Sequence, residues 1–238
     1  MKNTFPNPER VLVICAHPDD PEFGAAGSVA CWAQGGAEVT YIIVTDGSKG
    51  SADPEMTREQ LVKLRQAEQR AAAETLGVAN VVFLGHPDGE VYNTPELRED
   101  IVRQIRRYRP DVLVTHDPTA RIIANSYINH PDHRAVGDTV LDAVFPLARD
   151  RLNFPQHEAE GLKPHNVTDI FLLFTNEPNF WVDISPTIDK KVAALVCHTS
   201  QIGEPEELEE RIREGAKERA AKVSFDYAEH FRRVRLPR

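Results

Sequence analysis

The sequence predicts an α/β fold: a mostly parallel sheet with helices on both faces. Two observations carry it. Apolar runs of strand length alternate with longer amphipathic segments along the 238 residues, with no internal repeat and no low-complexity linker. The first of these runs is continuous rather than alternating, as expected of a strand buried on both faces. Strand–helix alternation of this kind argues a parallel sheet covered on both sides.

The elements follow in order. "RVLVICA" (10 to 16) is a β-branched first strand. A helix running from about residue 26 includes "VACWAQGG" and stops at Gly35 and Gly36. "EVTYIIVTD" (38 to 46) is the second strand. "MTREQLVKLRQAEQRAAAETLGV" (56 to 78) is a long helix with Leu61, Leu64, Ala67, Ala71 and Leu76 on its apolar face and Gly77 at its end. "NVVFLG" (80 to 85) is strand three. "TPELREDIVRQIRRYRP" (94 to 110) is a helix capped by Thr94, with Pro95 at its first position. "DVLVTH" (111 to 116) is strand four. "HRAVGDTVLDAVFPLARD" (133 to 150) is a helix that ends or kinks near Pro146. "DIFLLF" (169 to 174) and "FWVDIS" (180 to 185) are late strands. "PTIDKKVAALVCHTS" and "PEELEERIREGAKERAAKV" are closing helices. The expectation is one domain over residues 1–238, its last third an α/β extension of the sheet.

Composition narrows the partners. The net charge is −9, from 37 acidic and 28 basic residues, which disfavours nucleic acid and anionic membrane. The basic end "HFRRVRLPR" reads as a solvated tail or a subunit contact. Cys15, Cys31 and Cys197 lie far apart with no C-x-x-C spacing, which fits a reducing compartment. "MKNTFPNPER" has no apolar core of a secretory leader, and no apolar run approaches the ~18 residues of a membrane span. A cytoplasmic protein is expected.

The polar residues collect at one rim. In open α/β sheets ligands bind outside the carboxyl ends of the strands. Strand one ends in His17, Asp19 and Asp20; strand two ends in Asp46. Strand three is followed by His86 and Asp88. Strand four ends in His116 and Asp117, and its loop leads to His130, Asp132 and His133. No G-x-G-x-x-G and no P-loop pattern is present, and acids repel phosphate where they would attract a cation. A divalent ion needs lone pairs converging at about 2.0 to 2.2 Å, which imidazoles and carboxylates supply. His17 and Asp20, three apart in a turn, suit one side of it, and a histidine from another strand would complete the set. Two His and one carboxylate leave a position open for water, with Asp19 beside it as a candidate general base. His86 and His116 carry a weaker signal. His157, His165 and His230 read as surface residues.

Each His-Pro-Asp alone is a plausible turn. Together, "AHPDD" and "HPDH" resemble the LmbE/PIG-L family of zinc-dependent N-acetylglucosaminyl deacetylases. "RQAEQRAAAETLGV", "FLGHPDG" and "KKVAALVCHTSQ" are similar to further family segments, so the likeness spans most of residues 10 to 203. It implies a Rossmann-like fold, and Zn²⁺ held by His17, Asp20 and His133. It also implies Asp19 as general base, His130 as the oxyanion-stabilising histidine, and Arg65 and Asp88 at the sugar. The implied substrate is a small N-acetylated sugar, and the implied assembly a trimer or hexamer in which His198 approaches an active site near a subunit boundary. Pro21 stands before Glu22 where the family places Glu directly after the second Asp. The loop "DPTARIIANSYIN" (117 to 129) departs as well, with Tyr127 or Arg121 as candidates to face substrate. Non-haem iron oxygenases use a similar ligand set but need no spare acid such as Asp19, and a metal-binding protein without turnover is the third alternative, against which the open coordination position argues.

Overall fold

β1 (Arg10–Cys15) is buried on both faces, and its side chains divide between two cores. Val11, Val13 and Cys15 join one cluster; Leu12, Ile14 and Ala16 join the other. The period-2 alternation of strand side chains thus explains the unbroken apolar run. In this computed structural model, residues 5–237 are described. Residues 1–4, the start of the stretch read for a leader, and the last arginine of the basic end lie outside them.

β2 (Glu38–Thr45) and β3 (Asn80–His86) stack on one side of β1; β4 (Val112–His116) lies on its other side, all parallel. β7 (Asp169–Leu173) continues parallel to β4. β8 (Phe180–Asp183) and β9 (Ala228–Arg235) finish an order of β3-β2-β1-β4-β7-β9-β8, with β9 antiparallel to both β7 and β8. The mostly parallel sheet with helices on both faces is the fold the sequence predicts. The chain leaves β1 in one direction and returns to its other side at β4. The crevice of that switch point opens between their carboxyl ends.

α1 (Asp20–Gln34), α2 (Arg58–Leu76), α6 (Ile188–Val196) and α7 (Pro205–Ala220) cover one face, α3 (Pro95–Tyr108) and α4 (Pro131–Asp142) the other. Capping fixes where they start. Thr57 and Gln60 form a reciprocal capping box on α2, and the Thr94 side chain accepts the Leu97 N–H on α3. A short helix, α5 (Gln156–Ala159), completes the set.

Four local expectations change. "HFRRVRLPR" is not a solvated tail: residues 228–235 form β9, with Phe231 fully buried. The fourth helix starts at Pro131 rather than His133, while its break falls where expected: after Asp142 it opens into a wider turn over Ala143–Leu147, in which Phe145 leaves helical geometry ahead of Pro146. The 117–129 loop carries a hairpin, β5 (Ile122–Ile123) and β6 (Tyr127–Ile128), turned by Ala124 and Asn125 at positive φ. His157 is fully buried rather than at the surface, stacked on Phe154 and 3.4 Å from the Glu99 carboxylate.

Candidate metal centre and active site

The first turn after β1 places two donors side by side. The Ala16 N–H donates to His116 Nε2 at 3.0 Å, anchoring the end of β1 to β4. The His17 N–H donates to Asp20 Oδ2 at 2.7 Å. Asp19 sits between them as the residue before α1, in the left-handed region at φ +97°. A non-glycine residue held there costs about 1–3 kcal/mol and persists only where its surroundings fix it.

The third donor comes from α4. Gly137 lets that helix approach β4 closely: a Cβ there would lie 2.6 Å from the His116 carbonyl oxygen. His133, in the first turn, then stacks on His116 at 4.1 Å between ring centroids. Its Nε2 lies 3.0 Å from Asp20 Oδ1 and 3.3 Å from His17 Nδ1, and His17 Nδ1 lies 3.4 Å from Asp20 Oδ2. Ligands arranged tetrahedrally at about 2.0–2.2 Å from an ion are roughly 3.3 Å apart. The spacing and chemistry of the three groups fit a divalent cation.

Partners outside this set fix which lone pairs face inward. His17 Nε2 lies 3.2 Å from Asp88 Oδ1 and 3.3 Å from Asp132 Oδ2, leaving Nδ1 for the centre. Asp132 is itself held by the Gly89 and Val91 N–H groups. His133 Nδ1 pairs with Asn129 Oδ1 at 2.9 Å, while Asn129 Nδ2 donates to the Ala120 carbonyl, so the amide presents its oxygen to the imidazole. Burial disfavours charge on His17, but the hydrogen bonds to Asp132, Asp20 and Asp88 outweigh it and push the imidazole up to about 12. Burial raises Asp20, yet His133 and His116 hold it well below the usual carboxylate range. Asp88 is lifted by burial and lowered more by His17 and the Lys49 N–H, to about 2.

Asp19 differs from its neighbour. Burial and the adjacent Asp20 charge raise it to about 7, against the opposing pull of Arg65, His198 and His17. Arg65 Nη2 lies 3.2 Å from Asp19 Oδ2. His130 is the N-cap of α4 and accepts the Asp132 N–H at Nδ1, so its proton sits on Nε2. Burial and the nearby His17 lower its pKa and favour the neutral ring. Asp19, Asp20, His17, His130 and His133 all line a cavity of about 570 Å³, closed on its apolar side by Phe23, Ile123, Tyr127 and Phe174.

The structure brings all seven sequence-predicted site residues to this cavity. Arg65 and Asp88 reach it with partners already in place: Arg65 donates to the Gly47 and Pro18 carbonyls and to Asp19, and Asp88 contacts His17. Tyr127 lines the cavity; Arg121 is not among its lining residues. His116 is fully buried directly behind the donors. His86 pairs with Asp100 at 3.2 Å instead. His198 is buried within its own chain, 3.1 Å from Glu22 Oε2, and approaches Asp19 from that side. Sequence reasoning gave no role to Asn129, Asp132, Gln69 or Glu22. The first two lie inside the "INHPDH" motif; Glu22 follows the intervening Pro21 and Gln69 lies inside "RQAEQRAAAETLGV", but neither segment shows that the two side chains meet.

A model of the PIG-L family, described as GlcNAc-PI de-N-acetylase, matches residues 12–144. Diacetylchitobiose deacetylase of Thermococcus kodakarensis is 35% identical over 200 residues, 84% of this chain and 73% of that protein. A probable N-acetyl-α-D-glucosaminyl L-malate deacetylase 2 of Bacillus anthracis is 28% identical, over 89% of this chain and 90% of that protein. Among solved structures, N,N'-diacetylchitobiose deacetylase from Pyrococcus horikoshii, complexed with an inhibitor, superposes with a TM-score of 0.89 at 30% identity, covering 98% of this chain and 86% of that one.

Proposed function

The chain belongs to the PIG-L family, and on that footing we propose that it is a zinc-dependent N-deacetylase, hydrolysing the acetamide of a small N-acetylglucosamine-type sugar. One observation carries the reading: His17, His133 and Asp20 converge as a cation site on the wall of a cavity, and an acid that is not part of that set, Asp19, faces the same space. When bound, zinc supplies Lewis acidity, lowering the pKa of a water to about 7 and polarising the acetyl carbonyl.

The remaining work falls to the chain's own residues. Asp19 accepts a proton from the attacking water as its oxygen bonds to the acetyl carbon. Its pKa of about 7 without a cation moves down when one binds beside it, so the base is ionised at neutral pH. His130 donates its Nε2–H to the developing oxyanion. As the C–N bond breaks, Asp19 returns the proton to the sugar nitrogen, giving acetate and a free amine. Arg65 and Asp88 keep an edge on the cavity within reach of sugar hydroxyls, while Arg65 holds Asp19 and Asp88 holds His17. An assembly of identical copies, a trimer or hexamer, goes with this reading; the exposed Ile122, Tyr127 and Ile128 of the hairpin offer apolar surface for it.

The test is acetate release by zinc-loaded protein from a panel of N-acetylated mono- and disaccharides, including N-acetylglucosamine conjugates. We expect acetate and free amine in equal amounts from at least one member, with the rate held at neutral pH and falling on acidification once Asp19, lowered by the neighbouring cation, protonates. No acetate from any member would overturn the proposal.

A further inference from the structure

Asp19 is gripped twice from the same helix. Arg65 and Gln69 stand one turn apart on the buried face of α2. Arg65 takes the Asp19 carboxylate at 3.2 Å; Gln69 Oε1 accepts the Asp19 backbone N–H at 2.9 Å. The Gln69 amide has no freedom to turn over. Its Nε2 donates to both Glu22 oxygens, each at 3.0 Å, and Glu22 Oε2 in turn lies 3.1 Å from His198 Nε2. Gln69, Glu22 and His198 are all fully buried. A line of hydrogen bonds therefore runs from the residues following α6, through α1 and α2, to one backbone N–H. That N–H belongs to the residue held at φ +97°.

We infer that Gln69 is a positioning residue for the reaction proposed above: its side-chain carbonyl holds the Asp19 N–H, and so holds Asp19 in the backbone conformation that aims its carboxylate at the cavity. Glu22 and His198 fix the Gln69 amide in the one orientation that can do this. Strained backbone needs such over-determination, and burial makes each of these bonds hard to replace with water. Without the Gln69 carbonyl, residue 19 relaxes toward negative φ and its carboxylate swings away. A displacement of roughly 1 Å at a reacting group costs on the order of 10²-fold in rate. Asp20 keeps its own ties to the His17 N–H, His133 and His116, none of which passes through Gln69, so the cation site stays intact.

The inference rests on the deacetylase reading, and the test separates the two. Gln69→Leu removes the amide at similar volume. The paired variant Gln69→Leu/Glu22→Leu also removes the buried carboxylate that would lose both of its Gln69 hydrogen bonds, and serves if the single variant melts early. Expected for the folded variant are kcat about 10²-fold down, KM within twofold of wild type, one zinc per chain, and no further loss when Gln69→Leu is added to Asp19→Ala. An unchanged kcat, or an equal further loss in the Asp19→Ala background, overturns the inference. If wild type itself releases no acetate, the deacetylase reading fails. The inference is then decided by a crystal structure of the zinc-loaded variant: Asp19 at negative φ supports it, and Asp19 still near +97° overturns it.

Discussion

His133 can offer its Nε2 lone pair to a cation because Asn129 occupies its other nitrogen. That bond sets the tautomer and holds the ring, and Asn129 is itself fixed by the Ala120 carbonyl. Removing such a partner of a metal-binding histidine typically weakens metal affinity by 10- to 100-fold. Asn129→Ala is therefore expected to raise the zinc dissociation constant by about that factor in a chelator competition; wild-type affinity would show that the ring is held by stacking on His116 alone. The proposed donors were legible in the sequence because His17, Asp20 and His133 sit in two motifs at the ends of predicted elements. Where the other motif atoms point was not legible. Asp132 shares "HPDH" with His130 and His133, but only the fold shows its carboxylate on His17 Nε2. Gln69 and Glu22, 47 residues apart in sequence, meet through the packing of α2 on α1, which no local pattern encodes.

At the scale of elements, α1 starts at Asp20 rather than near residue 26, but β1 to β4, α2 and α3 could be read because each carries its own period and punctuation. β9 could not. Its run "AEHFRRVR" buries Ala228 and Phe231, while its arginines made it look like a charged tail. The arginines are part of the sheet's packing: the Arg233 guanidinium lies over the Phe171 and Phe180 rings and pairs with Asp169. β9 also carries Glu229, whose carboxylate accepts the Gly27 and Ser28 N–H groups, the Ser28 hydroxyl and Lys191 Nζ at 2.7 Å. It ties the last strand to α1 and α6 through a buried ion pair. Removing one partner of such a pair leaves the other charge buried alone and costs about 3–5 kcal/mol. Glu229→Ala is expected to lose that much in denaturant unfolding and to lower Tm accordingly; a midpoint equal to wild type would show that Lys191 finds other partners.

Across the whole molecule, the sheet order makes one crevice, and the two His-Pro-Asp segments meet in it although more than a hundred residues separate them. β1 delivers His17, Asp19 and Asp20. The connection after β4 delivers His130 and His133 on α4, and the β3 loop brings Asp88 from the other side. The rule that open α/β sheets bind ligands outside the carboxyl ends of their strands made the location readable, because acids and imidazoles follow four successive predicted strands. The division of labour inside the crevice was expected from the sequence, Asp20 toward the cation and Asp19 beside its open position; the left-handed backbone of Asp19 that separates the two neighbouring carboxylates was not readable. Asp20 faces His17 and His133, whereas Asp19 faces the cavity and Arg65. The central claim is that one of these acids holds the cation and the other moves the proton. The most direct test is zinc content and kcat for acetate release, measured on the same preparations of Asp19→Ala and Asp20→Ala. Asp19→Ala is expected to keep about one zinc per chain and to lose 10²- to 10⁴-fold in kcat, while Asp20→Ala loses its zinc. An Asp19→Ala protein that loses zinc while Asp20→Ala retains it, or wild-type kcat in both, would contradict the account.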